Sequence, residues 1–432
     1  MHLESLIERL PGVSALPARG TIPATEIRSV TSDPDRAGPD TIFAAIPSRM
    51  ATDPLGTQTA IGRGAPAVIC RPGTVIPKGT HRIVADQPGR TFSAAAAALN
   101  GNPLSRLHLF RMGLAGRVSG AAAAFLHALL EHAGHRSALL TADGGLVAGR
   151  HFPQTPAESD SHEWHRLFAA HVRSGGTALV VEDHSSVNEV LGSIAPLAET
   201  RVGDAGGRCI RPVALHWRGS RVRMEVGSVE RLAHTPITGS GSLRALDAAM
   251  SACAAAGADP VRLASMVPGL TPATGFMETV QAGQPFGVFV DGANDAASVR
   301  ELIREAREMT QGAVILVTGA DAGSTALARQ QLGEAASEAD RVILTADNPR
   351  RTGFAAITAE VLRGTTRPAQ TEPDRQRAIL SAIRQARSGD VVLLAGKARR
   401  PVQEIDGTII PWDDRSHARD ALAVRGWIGD LS

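Results

Sequence analysis

Lysine and tyrosine are the residue types that this sequence most clearly lacks. The 432 residues include no tyrosine, and among the 45 basic residues only Lys78 and Lys397 are lysine, the others being arginine. Together with the abundance of alanine, this bias is typical of a GC-rich genome. It also restricts the chemistry, because any mechanism that needs a lysine ammonium has only two candidates.

Cysteine, excess charge and long apolar runs are scarce as well. Cys70, Cys209 and Cys253 form no CxxC or CxxH pattern, which indicates reduced thiols and a cytoplasmic setting. Residues 1–12 carry acids among leucines, so we expect no signal peptide, and no apolar run is long enough to cross a bilayer. A net charge of +2 gives no reason to expect a nucleic acid or a membrane as partner.

Short apolar runs alternate with helical segments, which predicts an α/β fold with largely parallel sheets. The alternation is clearest in the last third, where "FGVFVD", "AVILVTG", "RVILTAD" and "DVVLLAG" are separated by amphipathic helices. This part predicts a Rossmann-like domain whose strand ends form a cleft. Upstream, we expect helices at about 118–133 and 158–173.

The segment 187–235 has no clear periodicity. We expect it to be irregular apart from one β pair around "ALHWRGSRVRMEVG". Two helices are predicted to follow, in "LRALDAAMSACAAAG" and "DPVRLASMV".

Residues 113–119, "GLAGRVS", follow an apolar run and open a helical segment, as phosphate-binding loops do. Backbone N–H groups beside Gly113 and Gly116 could attract an anion at the helix start, where Arg117 adds a positive charge. The same glycines also suit a tight strand-to-helix turn that binds nothing. Val118 stands where a magnesium-binding hydroxyl is expected, and Ser119 is displaced by one helical position, roughly 100° around the axis.

Ten motifs occur in an order that resembles the Mur ligase family, and within it the UDP-N-acetylmuramoyl-tripeptide synthetases. The resemblance covers nearly the whole chain. The motifs are "TSDPDRAGPDTIFAAIP" with "AIGRGAPAVIC", "GLAGRVS", "TP" at 155–156, "VEDHSS", "PITG", "GFME", "VDGAND", "DNPR", "AGK" and "DDR".

This resemblance implies a three-domain α/β architecture with Rossmann-like terminal domains and a P-loop-type central domain shortened by deletion. Residues 1–101 would be the domain that binds a UDP-substrate, with Ser32 and Asp33 at that site. Residues 102–283 would be the degenerate ATP-binding domain, and residues 284–432 the domain that holds an amino acid.

The resemblance also implies particular site residues. Arg117 and Glu182 are the nearest matches to catalytic groups. Glu182 is the one match to a magnesium ligand, although a solvated or hydrogen-bonded acid at the end of a strand is the favoured interpretation. The implied nucleotide-binding positions are Gly113, Gly116, Arg117, Ser119 and Asp291. The implied amino-acid-binding positions are Asp347, Asn348, Arg350 and Lys397.

Several family residues are replaced where they would carry chemistry. The magnesium-binding histidine falls on Ser186, and the 49 residues between Ser186 and Pro236 contain no lysine to match the family's carbamylated lysine. Phe276 replaces an arginine, and Asn294 replaces a histidine. Losing the carbamylated lysine and the loop hydroxyl removes transition-state charge stabilisation worth several kcal/mol for each element.

The amino-acid motif is altered as well. Arg400 replaces a glutamate, which makes a diamino acid an unsuitable substrate. "DNPR" could instead be a turn held by an ion pair, and Lys397 could form a structural salt bridge in place of a phosphate contact. His162, His165 and His171 share one helix without the carboxylate or cysteine pattern of a metal site.

We therefore expect a Mur-ligase-like pseudoenzyme that binds a partner protein or a ligand resembling a UDP-sugar, a muramyl peptide or a nucleotide, with no cofactor. The alternative is a divergent ATP-dependent acid–amino acid ligase or transferase, which would need ATP and magnesium. A dinucleotide-dependent oxidoreductase using "GADAG" is disfavoured, because the spacing differs from GxGxxG.

Overall fold

The computed structural model describes residues 1–16, 24–46, 54–77, 79–142, 144–152, 161–192, 195–203, 209–398 and 402–428. Contacts along the chain define two units. The first unit comprises Met1–Gly113 with Gly134–Arg201, and the second comprises Leu114–Ala133 with Val202–Ser432. The three-domain limits inferred from the sequence stay a prediction.

Helices and strands alternate through both units. The helices are α1 (Leu3–Ile7), α2 (Pro54–Gly62), α3 (Pro88–Leu99), α4 (Val118–His132), α5 (Ser161–Arg173), α6 (Ser185–Leu191), α7 (Ser240–Ala255), α8 (Pro260–Met266), α9 (Ala296–Met309), α10 (Ala326–Ala336), α11 (Phe354–Gly364), α12 (Arg375–Gln385) and α13 (Asp414–Val424). The strands of the first unit are β1 (Val13–Leu16), β2 (Ser29–Thr31), β3 (Thr41–Ala44), β4 (Ala67–Cys70), β5 (His81–Ala85), β6 (His108–Gly113), β7 (Ser137–Thr141), β8 (Gly144–Val147), β9 (Arg150–Phe152), β10 (Ala178–Glu182) and β11 (Ala198–Gly203). Those of the second are β12 (Ile210–His216), β13 (Gly219–Val226), β14 (Val229–Thr235), β15 (Glu278–Thr279), β16 (Gly287–Asp291), β17 (Val314–Thr318), β18 (Arg341–Leu344), β19 (Gln370–Thr371), β20 (Val391–Ala395), β21 (Val402–Ile405) and β22 (Thr408–Pro411).

The first unit contains two sheets. One has the order β1-β5-β4-β3-β2 and is parallel except for the β1–β5 pair. The other has the order β11-β6-β10-β7-β8-β9, in which β6, β10 and β7 are parallel and two hairpins add β8 and β9. Parallel pairing at the centre fits the apolar strands, which are buried on both faces.

The second unit is built around a six-stranded sheet of order β15-β16-β20-β17-β18-β19. Its strands are parallel apart from β15, and β16, β17 and β20 are buried along their whole length. Helices α12 and α13 cover one face with Ile379, Ile383 and Leu422. Because ligands bind beyond the carboxyl ends of such strands, the loops after β16, β17 and β18 are where a site is expected.

The mixed α/β fold predicted from the sequence is confirmed. The prediction for segment 187–235 was wrong in part, because the expected β pair is a three-stranded antiparallel sheet of β12, β13 and β14, preceded by α6 and β11. Strand β14, "VERLAHT", exposes most of its side chains, so its apolar signal is weak. Within the described ranges, the helices are all too short or too polar to cross a membrane.

Candidate functional site

The loop before α4 is a strand-to-helix turn with one left-handed residue. Strand β6 ends at Gly113 and α4 begins at Val118, while Gly116 has a φ of +69°, which glycine adopts without steric cost. A side chain at Gly116 would also lie 3.2 Å from Oε2 of Glu301. Val118 and Ser119 are both buried, so Val118 offers an apolar surface where a hydroxyl was expected.

Arg117 is held by three carboxylates. Its Nη1 donates to Oδ2 of Asp291 at 2.5 Å, and its Nη2 donates to Oε1 of Glu305 at 2.7 Å. Nε lies 3.7 Å from Oε2 of Glu301, and the guanidinium stacks 4.1 Å from the ring centroid of Phe276. We call Arg117, Asp291, Glu301 and Glu305 the Arg117 cluster. Its arginine is 9 % exposed, so the guanidinium is almost fully withdrawn from water.

Backbone groups fix two of these carboxylates. Asp291 accepts hydrogen bonds from the backbone N–H groups of Met277 and Ala293. Glu305 accepts one from Gly241 in the first turn of α7, and a Cβ at Gly241 would lie 2.4 Å from Oε1 of Glu305. A glycine is thus required there for the carboxylate to reach the helix terminus, whose dipole favours a negative charge.

Burial and mutual charge determine the protonation of the cluster. Burial lowers the pKa of Arg117, but the carboxylates of Asp291, Glu305 and Glu301 outweigh that effect and raise it. Burial raises the pKa of Glu305 to about 7, against the lowering effect of Arg117. One arginine therefore faces three acids in a poorly solvated place, where charge pairing is strong and an unpaired charge is costly.

These residues do not fit ATP and magnesium. A nucleotide loop must present cationic groups and a hydroxyl to a bound metal and to phosphate. In this chain the loop cation is engaged by carboxylates, Val118 has no oxygen in its side chain, and the neighbouring Asp291, Glu301 and Glu305 would repel a triphosphate. Among the described residues, no group of three His, Cys, Asp or Glu side chains has an arrangement that could hold a metal ion.

The turn after β18, residues 347–350, contains a second group of predicted site residues. Asn348 and Arg350 have φ values of +48° and +47°, which non-glycine residues rarely adopt. The Oδ1 atom of Asn348 accepts hydrogen bonds from Nζ of Lys397 at 2.5 Å and from the backbone N–H of Glu404 at 3.0 Å. Arg350 and Glu404 also share a backbone hydrogen bond, so the turn is anchored to the β21–β22 hairpin.

Lys397 is buried among acceptors from two segments, the turn after β18 and the start of β21. Its Nζ donates to the carbonyl of Val402 at 2.7 Å and lies 3.4 Å from Oδ1 of Asp347, in addition to its bond with Asn348. Burial lowers the pKa of Lys397 to about 8, although Asp347 acts in the opposite direction. Lys397 is therefore occupied by internal contacts, whereas both carboxylate oxygens of Asp347 are buried without a hydrogen-bond partner among the described residues.

A cavity of about 490 Å³ opens beside this turn. Its lining comes from the start of α9, from the loop after β17 and from the turn after β18. The lining residues are Asn294, Asp295, Asp321, Gly323, Ser324, Asn348 and Arg350. Of the four predicted amino-acid-binding positions, Asn348 and Arg350 line the cavity, while Asp347 and Lys397 are not among its lining residues.

The remaining predicted positions lie in the first unit. Oε2 of Glu182 accepts a hydrogen bond from the backbone N–H of Ala142 at the end of β10. Asp33 caps a short 3-10 turn at 34–36, and Ser32 precedes it in the loop after β2.

His165 on α5 is fully buried beside Ser93, and this burial lowers the pKa of its imidazole to about 3. Residues 155–156 and Arg400 lie outside the described residues.

Sequence reasoning missed Glu301 and Glu305, which are far from Arg117 in the chain. The sequence did contain an indication of the buried role of Glu305. This residue falls on the apolar face of α9 with three buried residues, Leu302, Ala306 and Met309. A carboxylate at a core position requires a partner.

Comparison with known proteins agrees with this arrangement of motifs. Residues 277–398 match the family model described as "Mur ligase, glutamate ligase domain". The UDP-N-acetylmuramoyl-L-alanyl-D-glutamate–2,6-diaminopimelate ligase of Streptomyces coelicolor is 28% identical over 480 residues, which cover 92% of this chain and 93% of the relative. A UDP-N-acetylmuramyl-tripeptide synthetase of Roseiflexus sp. is 41% identical over 172 residues, which cover 38% of this chain and 33% of the relative.

Solved structures support the same fold. A structure of a UDP-N-acetylmuramoyl-L-alanyl-D-glutamate–2,6-diaminopimelate ligase superimposes with a TM-score of 0.60 at 17% identity, covering 99% of both chains. A MurF ligase from Thermotoga maritima, solved in complex with ADP, gives a TM-score of 0.53 at 12% identity and covers 92% of this chain and 97% of its own. Residues 277–398 therefore match the Mur ligase glutamate ligase domain, and the chain is similar along nearly its whole length to UDP-N-acetylmuramoyl-L-alanyl-D-glutamate–2,6-diaminopimelate ligases.

Proposed function

We propose that this protein keeps the Mur ligase fold and has lost ATP-dependent amide-bond formation. It acts as a pseudoenzyme that binds a UDP-sugar-like or peptide-like small molecule or a partner protein. The single observation that carries the proposal is the Arg117 cluster. The one cation of the nucleotide loop is hydrogen-bonded to Asp291 and Glu305 and is buried.

The charges of the Arg117 cluster make the binding of ATP at this loop unfavourable. A bound triphosphate would have to displace the Arg117 guanidinium from Asp291 and Glu305, leaving these two carboxylates without their cation, while Glu301 would keep its ion pair with Arg244. Breaking a buried ion pair in this way costs about 3–5 kcal/mol. The phosphates would then meet Asp291, Glu301 and Glu305, whose repulsion increases that cost.

Loss of phosphoryl transfer leaves the binding surfaces of the fold in place. Support comes from Ser32 and Asp33 in the first unit, whose sequence resembles a UDP-substrate site, and from the polar cavity of the second unit beyond the carboxyl ends of its parallel strands. A protein with these features and without a competent nucleotide loop would recognise a ligand and release it unchanged.

The experiment is an ADP-release assay with the full chain and Mg-ATP. UDP-N-acetylmuramoyl-L-alanyl-D-glutamate is combined in turn with 2,6-diaminopimelate and with each standard amino acid, because Arg400 disfavours a diamino acid, and the Streptomyces coelicolor relative with 2,6-diaminopimelate serves as the positive control. We expect ADP release no faster than in a protein-free reaction. Substrate-dependent ADP release, together with a ligated product detected by mass spectrometry, would contradict the proposal.

A second candidate is a divergent ATP-dependent ligase, which the comparisons favour because the relatives quoted above are named as ligases or synthetases. In that case Arg117 must leave its carboxylates and contact phosphate. The variant Arg117→Ala would then abolish any ADP release measured for the unmodified protein. ADP release that persists in Arg117→Ala without any ligated product would indicate a contaminating ATPase and would leave the pseudoenzyme proposal intact.

A further inference from the structure

The three-stranded sheet of β12, β13 and β14 has one buried and one exposed face. Helices α7 and α8 pack against the sheet, and Val222, Met224 and Val226 of β13 are buried. Because side chains alternate between the two sides of a strand, the residues between them point away from the helices. Of these, Arg221 and Arg223 are exposed. We call this exposed side of the sheet the outer face.

The register of the sheet arranges the outer face in three rows that run across the strands. Each row has charged side chains of one sign, because residues of like charge lie opposite one another. The rows are Glu225 with Glu230, Arg211 with Arg223 and Leu232, and Ala214 with Arg221 and His234. The first row is acidic, and the second and third are basic.

The two ends of the outer face differ in how their charge is compensated. Like charges directly opposite each other destabilise a sheet, so each row is unfavourable by itself. Ion pairs along the sheet relieve two rows, because Arg211 lies 3.5 Å from Glu225 and Arg223 lies 2.6 Å from Glu230. Arg221 has no ion pair within the part of the chain that the structure describes. The outer face therefore has an acidic end and an uncompensated basic end.

A face with opposite charges at its two ends is complementary to a second copy of itself. Arg221 and Glu225 are four residues apart on β13, which separates the two ends by about 13 Å. A two-fold axis that lies parallel to the face, perpendicular to the strands and over Arg223 brings Arg221 of each copy onto Glu225 of the other. The same axis passes over the row of Leu232, which is 54% exposed, so the two leucines meet.

A partner with charge of a single sign suits this face less well. A nucleic acid or an anionic membrane would be attracted by Arg221 and repelled by Glu225 and Glu230. The three rows also contain no phenylalanine, tryptophan or tyrosine on which a base could stack. The charge pattern thus favours a second copy of this chain as the occupant.

We infer that the protein forms a homodimer by stacking the outer faces of two copies. Arg221 pairs with Glu225 across the interface, Glu230 lies against His234, and Leu232 contacts its counterpart. A three-stranded face of this length is smaller than the ~800 Å² that each partner buries in an interface of standard size, so the dimer is weak and reversible. The inference is independent of the proposed function, because none of these residues belongs to the nucleotide loop.

The experiment is sedimentation equilibrium of the full chain over a series of protein concentrations. The monomer has a mass of 45.0 kDa. We expect the average mass to rise above this value as the concentration increases and to fall when salt is added, because the contacts are charged and exposed. A monomeric mass at every concentration would overturn the inference. Binding of oligothymidylate by such a monomer would assign the outer face to a nucleic acid.

Charge-reversal variants locate the interface. Arg221→Glu and Glu225→Arg each bring like charges together at both symmetric contacts, so we expect either variant to raise the dissociation constant at least about tenfold. An equimolar mixture of the two variants has opposite charges at both contacts and should associate as the unmodified chain does. The matched control is Arg419→Glu, an exposed position on α13, which should leave the dimer unchanged.

The mixture also separates a lost contact from a lost fold, because only folded variants can regain association. A dimer that both reversals leave unchanged would overturn the inference, and so would an equal loss in Arg419→Glu. A mixture that stays monomeric would overturn it as well, provided that the unfolding midpoints of the variants match that of the control. The concentration series of the unmodified chain decides the inference without any variant.

Discussion

The Arg117 cluster and the 347–350 turn both pair a basic side chain with acids, yet one is closed and the other is open. Arg117 is 9 % exposed and donates to two carboxylates at 2.5 and 2.7 Å. Arg350 is 50% exposed, and its ion pairs are 3.4 and 3.6 Å long. The same residue type is therefore part of the protein interior in one place and available to a ligand in the other.

The difference follows from the backbone around each arginine. Gly239 and Gly241 let Glu305 reach the start of α7, so that its buried carboxylate meets Arg117 in the protein interior. Arg350 lies two positions after the buried, left-handed Asn348, and its own half-exposed side chain lines a cavity. Local backbone geometry therefore explains why Arg117 is buried in ion pairs while Arg350 stays half exposed.

The largest effect should come from Arg117→Ala. Removal of the guanidinium leaves Asp291 and Glu305 buried without their cation, which should lower the free energy of unfolding by about 3–5 kcal/mol. Urea denaturation followed by circular dichroism measures this. The control is Arg304→Ala, since Arg304 pairs with Glu308 on the surface and should contribute less than about 1 kcal/mol. Equal losses in the two variants would contradict the distinction between buried and exposed pairs.

The next effect is a pH dependence from Glu305. Its pKa is raised from 4.5 to about 7 in the folded state, mainly by burial, so the fold retains this proton more strongly than the unfolded chain does. The stabilisation is fully present below about pH 4.5 and is lost as the pH rises through about 7, a change of about 3 kcal/mol.

The pH effect is measured as a difference between two proteins. Urea unfolding of the unmodified chain and of Glu305→Gln is compared from pH 5 to pH 8. The unmodified chain should lose stability relative to the variant as the pH rises. A constant difference across this range would mean that Glu305 does not titrate there.

A smaller effect should follow from Gly241→Ala. The new methyl group would lie 2.4 Å from Oε1 of Glu305, so the carboxylate must move and lose contact with Arg117 or with the start of α7. We expect a loss of about 1–3 kcal/mol in the free energy of unfolding. Gly269→Ala is the control, because nothing lies within 4 Å of its added methyl group. A neutral Gly241→Ala would show that the close approach is not required.

The smallest effect should be that of Arg350→Ala. The side chain is half exposed and its ion pairs are long, so we expect a change below about 1 kcal/mol in the free energy of unfolding. Thermal unfolding of this variant beside Arg117→Ala compares the open and the closed arginine directly. A loss as large as that of Arg117→Ala would mean that Arg350 is a structural residue.

Much of the fold was predictable because its elements have strong periodicity. The strands β16, β17, β18 and β20 are continuous apolar runs, and α9 and α12 are amphipathic, so the pattern identifies each of them. Strand β14 was missed because its exposed side chains dilute the apolar signal.

Less of the candidate site could be predicted from the sequence. The loop 113–119 could be recognised from glycines and a cation, and Asp291 from the motif that contains it. The engagement of Arg117 by Glu301 and Glu305 depends on contacts between residues more than 180 positions apart, which no local pattern encodes. The burial of Lys397 likewise depends on Asp347 and on Val402 of the hairpin.

Direct binding of Mg-ATP to the full chain tests the central claim, which is that the carboxylates around Arg117 close the nucleotide loop. Unfolding is followed with increasing Mg-ATP, where a ligand at about 100 times its dissociation constant would add about 2.7 kcal/mol to stability. Our account predicts no change in the unfolding midpoint. A saturable rise in the midpoint that Arg117→Ala removes would contradict it.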